Sequence, residues 1–256
     1  MPPSKYCHAV IIGGTHGIGL ATAELLIQRG VTVILTGRRT APIQSAKQKL
    51  GDSAIVLQAD IQTTASISQL NREIEQHLGG EKIDLLFINA GYAALEPIAS
   101  VTEESFDRIF NTNVKGALFL AQSLAPRVRD GGAIVFTTPV ANKVGIPGMA
   151  AYAASKAALQ SLVQTFAAEF ATRQIRVTAV SPGFVKTPTM GVVDASKDSL
   201  ESFEKEGVGS TPLNRIARPE EVARAVLFLG FEATFTTGTE LVVDGGLASL
   251  KGEFSL

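Results

Sequence analysis

Apolar residues recur along the chain in two alternating rhythms. Val10-Ile11-Ile12 is a short continuous run of the kind a buried strand uses, and Leu20, Ala23, Leu26 and Ile27 then repeat at helical spacing as far as Arg29, where Gly30 stops them. Val31 to Thr36 is rich in β-branched residues and predicts a second strand. The alternation continues with helix at Ala41 to Leu50, strand at Ala54 to Leu57, helix at Ser66 to Leu78 and strand at Ile83 to Ile88. Helices follow at Glu103 to Asn111 and Val114 to Val128, the first with Thr102 placed to cap it and Glu103 and Glu104 suited to its dipole. Strand Ala133 to Thr138, a long helix from Ala151 to Thr172 and strand Ile175 to Val180 come next; helix Pro219 to Leu229 and strand Glu240 to Val243 close the series. Strand and helix alternating throughout predict an α/β fold, a parallel sheet covered on both faces. The rhythm breaks only over 188–211, a polar stretch with a short helix expected at Ser199 to Glu206; it reads either as a lid over a site or as an exposed loop. No repeat or linker divides the chain, so one domain over 1–256 is expected.

The first predicted turn carries glycines at Gly13, Gly14, Gly17 and Gly19 between a strand and a helix, the arrangement in which backbone approaches the pyrophosphate of a dinucleotide. Composition narrows the ligand further. Of 256 residues 45% are hydrophobic, and 23 basic against 24 acidic side chains leave a net charge of -1. Nothing there favours nucleic acid or an anionic membrane, so a small molecule or a second copy of the chain is the expected partner. Cys7 is the single cysteine and His8, His16 and His77 are scattered, which excludes an internal disulfide and a zinc-type cluster; no metal is expected. Met1-Pro-Pro-Ser-Lys5 leads into the short run His8 to Ile12, unlike a signal peptide, and a soluble cytoplasmic protein is the expectation. Tyr152 and Lys156 stand four apart on a helical face that continues through Leu159, Val163 and Phe166. A lysine on such a stripe either snorkels outward or lies near a group that uses its charge, and a neighbouring tyrosine is such a group: a nearby cation stabilises phenolate and suits Tyr152 to general acid work.

Taken together, Gly13-x-x-x-Gly17-Ile18-Gly19, Asp60, Asn89-Ala90-Gly91, Asn113, Tyr152-x-x-x-Lys156, Pro182-Gly183-x-Val185-x-Thr187 and Asp244-Gly245-Gly246 hold both order and spacing. From about Ala9 to Leu247 the chain resembles the short-chain dehydrogenase/reductase family. The resemblance implies a single Rossmann-like doubly wound parallel sheet and an NAD(P)-dependent oxidoreductase. It implies that Gly13, Thr15, His16, Gly17, Ile18 and Gly19 form the pyrophosphate turn, that Asp60 and Ile61 meet the adenine, and that Asn89, Ala90 and Gly91 lie by the adenosine ribose. It further implies that Pro182 and Gly183 bind the cofactor and that Val185 and Thr187 hold the nicotinamide carboxamide. Tyr152 would donate a proton to the substrate oxygen, Lys156 would lower the tyrosine pKa and hold the ribose hydroxyls, and Asn113 would support a water leading to the lysine; the alternative for Asn113 is a buried amide at a local kink.

The second strand ends in Gly37-Arg38-Arg39 instead of an acidic residue, and guanidinium pairing with a 2′-phosphate favours NADP(H), with His16 a second candidate contact. Two departures from the family stand out. Ile12 replaces the threonine usual before the first glycine, which removes a hydroxyl that stitches the turn to the sheet. The catalytic serine position, thirteen residues before Tyr152, holds Pro139, which has neither hydroxyl nor N–H. Three readings follow. Thr138 turns its hydroxyl into the site and the protein reduces carbonyls; Tyr152 acts alone on a self-activated substrate such as an enone; or the protein binds cofactor and ligand without redox turnover. Retention of Tyr152, Lys156 and Asn113 favours the redox readings. Tyr92, Ala93, Leu95, Lys143, Ile146, Phe184 and Met190 are expected to line a largely apolar pocket, and the segment Thr237 to Gly246 resembles one that many family members bury between subunits, which implies a homo-oligomer, a tetramer or dimer.

Overall fold

The computed structural model describes residues 7–142, 145–190, 192 and 197–250. Seven strands form one sheet in the order β3-β2-β1-β4-β5-β6-β7, every neighbouring pair parallel. They are β1 His8–Ile12, β2 Thr32–Gly37, β3 Ala54–Gln58, β4 Ile83–Ile88, β5 Val128–Thr137, β6 Arg176–Pro182 and β7 Glu240–Val243. The helices are α1 Gly17–Gln28, α2 Thr40–Leu50, α3 Thr64–Leu78, α4 Glu103–Phe110, α5 Ala117–Leu124, α6 Ala150–Glu169, α7 Lys197–Ser210 and α8 Pro219–Leu227.

Strand alternation explains why the strands read as nearly continuous apolar runs. Val10 and Ile12 of β1, Leu86 and Ile88 of β4 and Ile134 and Phe136 of β5 face one core, with Leu70 and Ile74 of α3, Leu120 and Leu124 of α5 and Leu159 and Val163 of α6. The residues between them, Ile11, Phe87 and Val135, face the opposite core with Leu26 of α1, Ile43 of α2 and Val226 of α8. Both faces are dry, so each central side chain contributes about 1.5 to 3 kcal/mol of burial. Local signals set the helix ends. The Thr102 hydroxyl accepts from the Ser105 amide while the Ser105 hydroxyl accepts from the Thr102 amide, a reciprocal cap for α4. Thr63 caps α3 through the Ser66 amide, and left-handed Gly79 ends it.

Several boundaries differ from the sequence expectation. Helix α1 begins at Gly17, three residues early, because the glycine turn winds directly into it. The helix expected over Val114 to Val128 is broken: Asn111–Gly116 is π-helical, α5 is short, and a tight turn at Ala125–Arg127 carries Pro126, which cannot continue an α-helix. Strand β5 begins at Val128, five residues early, and α7 is longer than the expected Ser199 to Glu206. None of the described helices is long and apolar enough to cross a membrane.

Strand β1 lies inside the sheet, between β2 and the central strand β4. The chain runs outward from it to β2 and β3, then returns to its other side with β4. The carboxyl ends of β1 and β4 therefore mark the point where strand order reverses, which leaves a crevice between the loops that follow them.

Candidate active site

A cleft of about 270 Å³ occupies that crevice, lined from Arg38, Arg39 and Asp60 at one end to Tyr152 and Lys156 at the other. Its floor is the glycine turn. Gly13 has φ +83°, and a Cβ there would stand 2.7 Å from the Ala90 backbone; a Cβ on Gly19 would stand 2.1 Å from the Gly13 carbonyl oxygen. Only glycine permits this packing of turn against strand end. Helix α1 starts from His16 in extended conformation without a side-chain cap, so its first amides face the cleft with no side chain competing for them. The hydroxyl absent at Ile12 has a counterpart on β2: Thr36 accepts from the Gly13 amide at 3.3 Å, and its carbonyl accepts from the Gly14 amide at 2.8 Å. Asn89 donates to the Gly13 carbonyl at 2.8 Å and accepts from the Thr137 hydroxyl at 2.9 Å, tying the ends of β1, β4 and β5 together.

At the basic end Arg38 and Arg39 are exposed and follow β2 directly. The Arg39 guanidinium lies 3.4 Å from His16 Nε2. Burial first, and the Arg39 charge in addition, push the imidazole below its ordinary pKa, so His16 is neutral at pH 7 and its ring nitrogen accepts from the guanidinium. Asp60 and Ile61 also line this end, and the Asp60 carboxylate accepts from the Gln62 amide at 3.0 Å.

At the opposite end Lys156 is 2% exposed and its ammonium donates to the Thr137 carbonyl at 3.2 Å. Its Nζ is 5.8 Å from the Tyr152 ring centroid. Burial brings Lys156 down to about 8 and pushes the Tyr152 phenol above its ordinary value. The lowered tyrosine pKa expected from the helical pair is therefore not a property of the protein alone, because desolvation outweighs the neighbouring charge.

Asn113, fully buried in the π-helical stretch, accepts from the Tyr92 amide at 2.8 Å and donates to the Tyr92 carbonyl and the Ser155 hydroxyl, each at 2.9 Å. Ser155 in turn donates to the Tyr152 carbonyl at 2.7 Å. The Asn113 amide is thus buried at a helical irregularity and fixes Tyr92 against α6.

Thr138 corrects the sequence reading. Its hydroxyl is buried and donates to Glu240 of β7 at 2.7 Å, while Thr137 and Pro139 line the cleft. Residues 137 and 139 share one face of the strand and 138 takes the other, a period-two argument already present in the sequence. Ser155, Thr189, Met149, Val192 and Phe203 are wall or support residues that sequence reasoning did not name. Of the predicted pocket residues, Tyr92 and Ala93 line the main cleft, and Ala93, Ile146, Phe184 and Met190 line a smaller adjoining cavity of about 70 Å³. Leu95 is 40% exposed and lines neither, and Lys143 lies outside the described residues. Gly17, Ile18, Ala90, Gly91, Pro182, Gly183, Val185 and Thr187 all border the main cleft.

A doubly wound sheet with a glycine-floored crevice at its switch point, running from two arginines to a half-buried tyrosine and a buried lysine, defines a dinucleotide-binding oxidoreductase. Comparison with known proteins agrees. The family model described as enoyl-(acyl carrier protein) reductase matches residues 13–248. The oxidoreductase asL5 of Sarocladium schorii is 32% identical, over 94% of this chain and 96% of its own. The hydroxynaphthalene reductase-like protein Arp2 of Metarhizium majus is 34% identical over 93% of each. A solved structure of a short chain dehydrogenase/reductase family protein superposes with a TM-score of 0.83 at 37% identity, covering 95% of this chain and 98% of that one. The chain belongs to the short-chain dehydrogenase/reductase family of oxidoreductases. Members of that family use NAD(P)(H), and the close-packed glycines, the uncapped α1 and the elongated cleft fit such a group.

Proposed function

We propose that the protein is an NADPH-dependent reductase acting on a carbonyl of a small, largely apolar substrate, with Tyr152 as proton donor. The observation that carries this reading is a single cleft with Arg38, Arg39 and His16 at one end and the Tyr152–Lys156 pair at the other. The reductase names of the relatives support the reductive direction. Bound there, the reduced nicotinamide would supply a hydride to the substrate carbon.

The chain's own residues do the rest. The turn from Gly13 to Gly19 and the start of α1 would hold the pyrophosphate, and Arg38 and Arg39 the 2′-phosphate, with His16 steadying the Arg39 guanidinium. Lys156 would hold the nicotinamide ribose hydroxyls, and Val185 and Thr187 the carboxamide. Tyr152 donates its hydroxyl proton to the substrate oxygen as negative charge develops there. Burial keeps that phenol protonated at neutral pH, the state a general acid needs.

A second reading has a specific observation behind it. Thr138 is turned to Glu240, Pro139 offers no hydroxyl, and Tyr152 is the only hydroxyl-bearing side chain among the described residues lining the smaller cavity. One donor suits an enone, whose conjugation supplies activation that a second donor gives an isolated ketone. We also propose that α7 lies as a lid over the smaller cavity through Phe203, and that the chain forms a homo-oligomer, supported by exposed Phe235, Leu213 and Leu250 near the C-terminal strand.

NADPH oxidation against matched ketones and enones tests the function, with wild type and Tyr152→Phe compared. The expected result is turnover that falls by about 10²- to 10⁴-fold in Tyr152→Phe. Absence of turnover with every substrate overturns the redox reading in favour of a binding role. Equal thermal stabilisation by NADPH and NADH, or an NADPH preference that survives Arg39→Ala, refutes the phosphate assignment.

A further inference from the structure

The smaller cavity meets the main cleft at Pro139, Tyr152 and Met190, all of which line both. It therefore receives whatever part of a substrate extends beyond the atom that Tyr152 protonates. Two features of its wall bear on what that part is.

The first is the absence of charge. Among the described residues lining it, no side chain is charged, and Tyr152 alone carries a polar atom suited to a strong hydrogen bond. A carboxylate or phosphate drawn into this space would lose its hydration and find no charged partner. The second is the chemistry of the apolar surface. Phe184, which follows β6, and Phe203 of α7 meet edge to face, with ring centroids 5.0 Å apart and planes at 63°. Met149, Met190, Pro139 and the Tyr152 ring line the cavity as well, with aliphatic Val140, Ile146, Val192 and Leu247 between them. Edge-to-face rings and polarisable sulfur favour an aromatic guest over an aliphatic one of equal size. The pair is also held in place: a Cβ on Gly207 would stand 2.7 Å from the Phe184 ring, so α7 rests directly on it.

We infer that the cavity of Phe184, Phe203, Met149, Met190, Pro139 and Tyr152 is a binding site for a neutral aromatic ring, which makes the substrate class aryl carbonyl compounds without an anionic group. The inference rests on the reductase reading for the reaction, though the ring site itself does not need turnover. Pro139 gains a role by it. Its ring presents an apolar surface to the guest where a hydroxyl would demand a polar partner.

The test uses binding as well as rate. Acetophenone, cyclohexyl methyl ketone and acetylbenzoate serve as substrates, and their alcohols as unreactive ligands titrated by calorimetry into the protein loaded with NADPH and into the protein alone. The phenyl alcohol is expected to bind about 3- to 10-fold tighter than the cyclohexyl one, and the carboxylate-bearing alcohol weakest of the three. In Phe203→Leu, which keeps the wall apolar but removes the ring edge, the phenyl advantage is expected to vanish while cyclohexyl affinity changes less than about 2-fold. Cyclohexyl binding as tight as phenyl in the wild type overturns the inference without recourse to any variant. Carboxylate binding as tight as phenyl, or a phenyl advantage that survives Phe203→Leu, overturns it as well. Phenyl selectivity in calorimetry without turnover of any ketone supports the ring site and sinks the reductase reading; turnover without selectivity does the reverse.

Discussion

Replacing the buried lysine is expected to make the protein more stable and inactive at once. Lys156 is 2% exposed, and burial brings it from 10.5 to about 8. That displacement corresponds to about 3 kcal/mol of unfavourable free energy in the folded state while the lysine is charged. In Lys156→Met the penalty disappears, a side chain of similar length fills the space, and the bond to the Thr137 carbonyl is lost. Setting about 1 kcal/mol against that bond leaves a net gain of about 2 kcal/mol, or roughly 4 to 8 °C in Tm for a chain of this size.

The pH dependence identifies the cause. A lysine whose folded pKa lies below its unfolded one leaves the unfolded state holding more protons between about 8 and 10.5, so wild-type stability rises with pH across that window. The advantage of Lys156→Met is therefore full below about pH 8 and gone near 10.5. Scanning calorimetry on cofactor-free wild type and variant at matched concentration, from pH 6.5 to 10.5, measures the difference. A variant that melts at or below the wild type at pH 7, or an advantage unchanged across the window, would refute the reasoning. Activity is expected to be lost throughout, since nothing replaces the cation beside Tyr152.

Three further substitutions probe separate parts of the site. Gly19→Ala sets a methyl 2.1 Å from the Gly13 carbonyl, so NADPH binding is expected to be lost in calorimetry; affinity within about 2-fold of wild type would show that the turn tolerates it. Asn113→Ala leaves the Tyr92 amide and carbonyl and the Ser155 hydroxyl without that partner, and about 3 kcal/mol of stability is expected to go in urea unfolding; a loss under about 1 kcal/mol contradicts the bonding described. Pro139→Ser restores a hydroxyl on the cleft face of β5 and is expected to raise kcat for an isolated ketone by about 10-fold or more, with enone rates little changed. A fall in ketone kcat would mean that the proline itself is needed.

The alternation of strand and helix, the glycine turn and the ordered spacing from Asn89 to Tyr152 and Lys156 made the fold and most of the cleft legible in the chain itself. These features are local: period two, period 3.6 and the conformational demands of glycine act within a few residues, and parallel strands linked by helices leave little freedom of assembly. Thr102 as the cap of α4 was equally legible. The placing of Arg38 and Arg39 on the cleft was predictable too, because the carboxyl end of β2, beside β1, faces the same side of the sheet as the crevice.

What the linear pattern left open depends on neighbours distant in sequence. Thr138 became a partner of Glu240 only because β7, far along the chain, packs beside β6 and brings its carboxylate within reach. The partners of Asn113, Tyr92 and Ser155, are 21 and 42 residues away and could not be named from local pattern. The pairing of Phe184 with Phe203 likewise needed α7 to be placed, since the segment before it carries no periodicity that fixes its direction. The sequence by itself determined a nicotinamide-type α/β enzyme with Tyr152 and Lys156 at its centre. The tertiary structure alone decided which partners the buried Thr138 and Asn113 side chains take, because those bonds join residues far apart in the chain that no short-range pattern encodes.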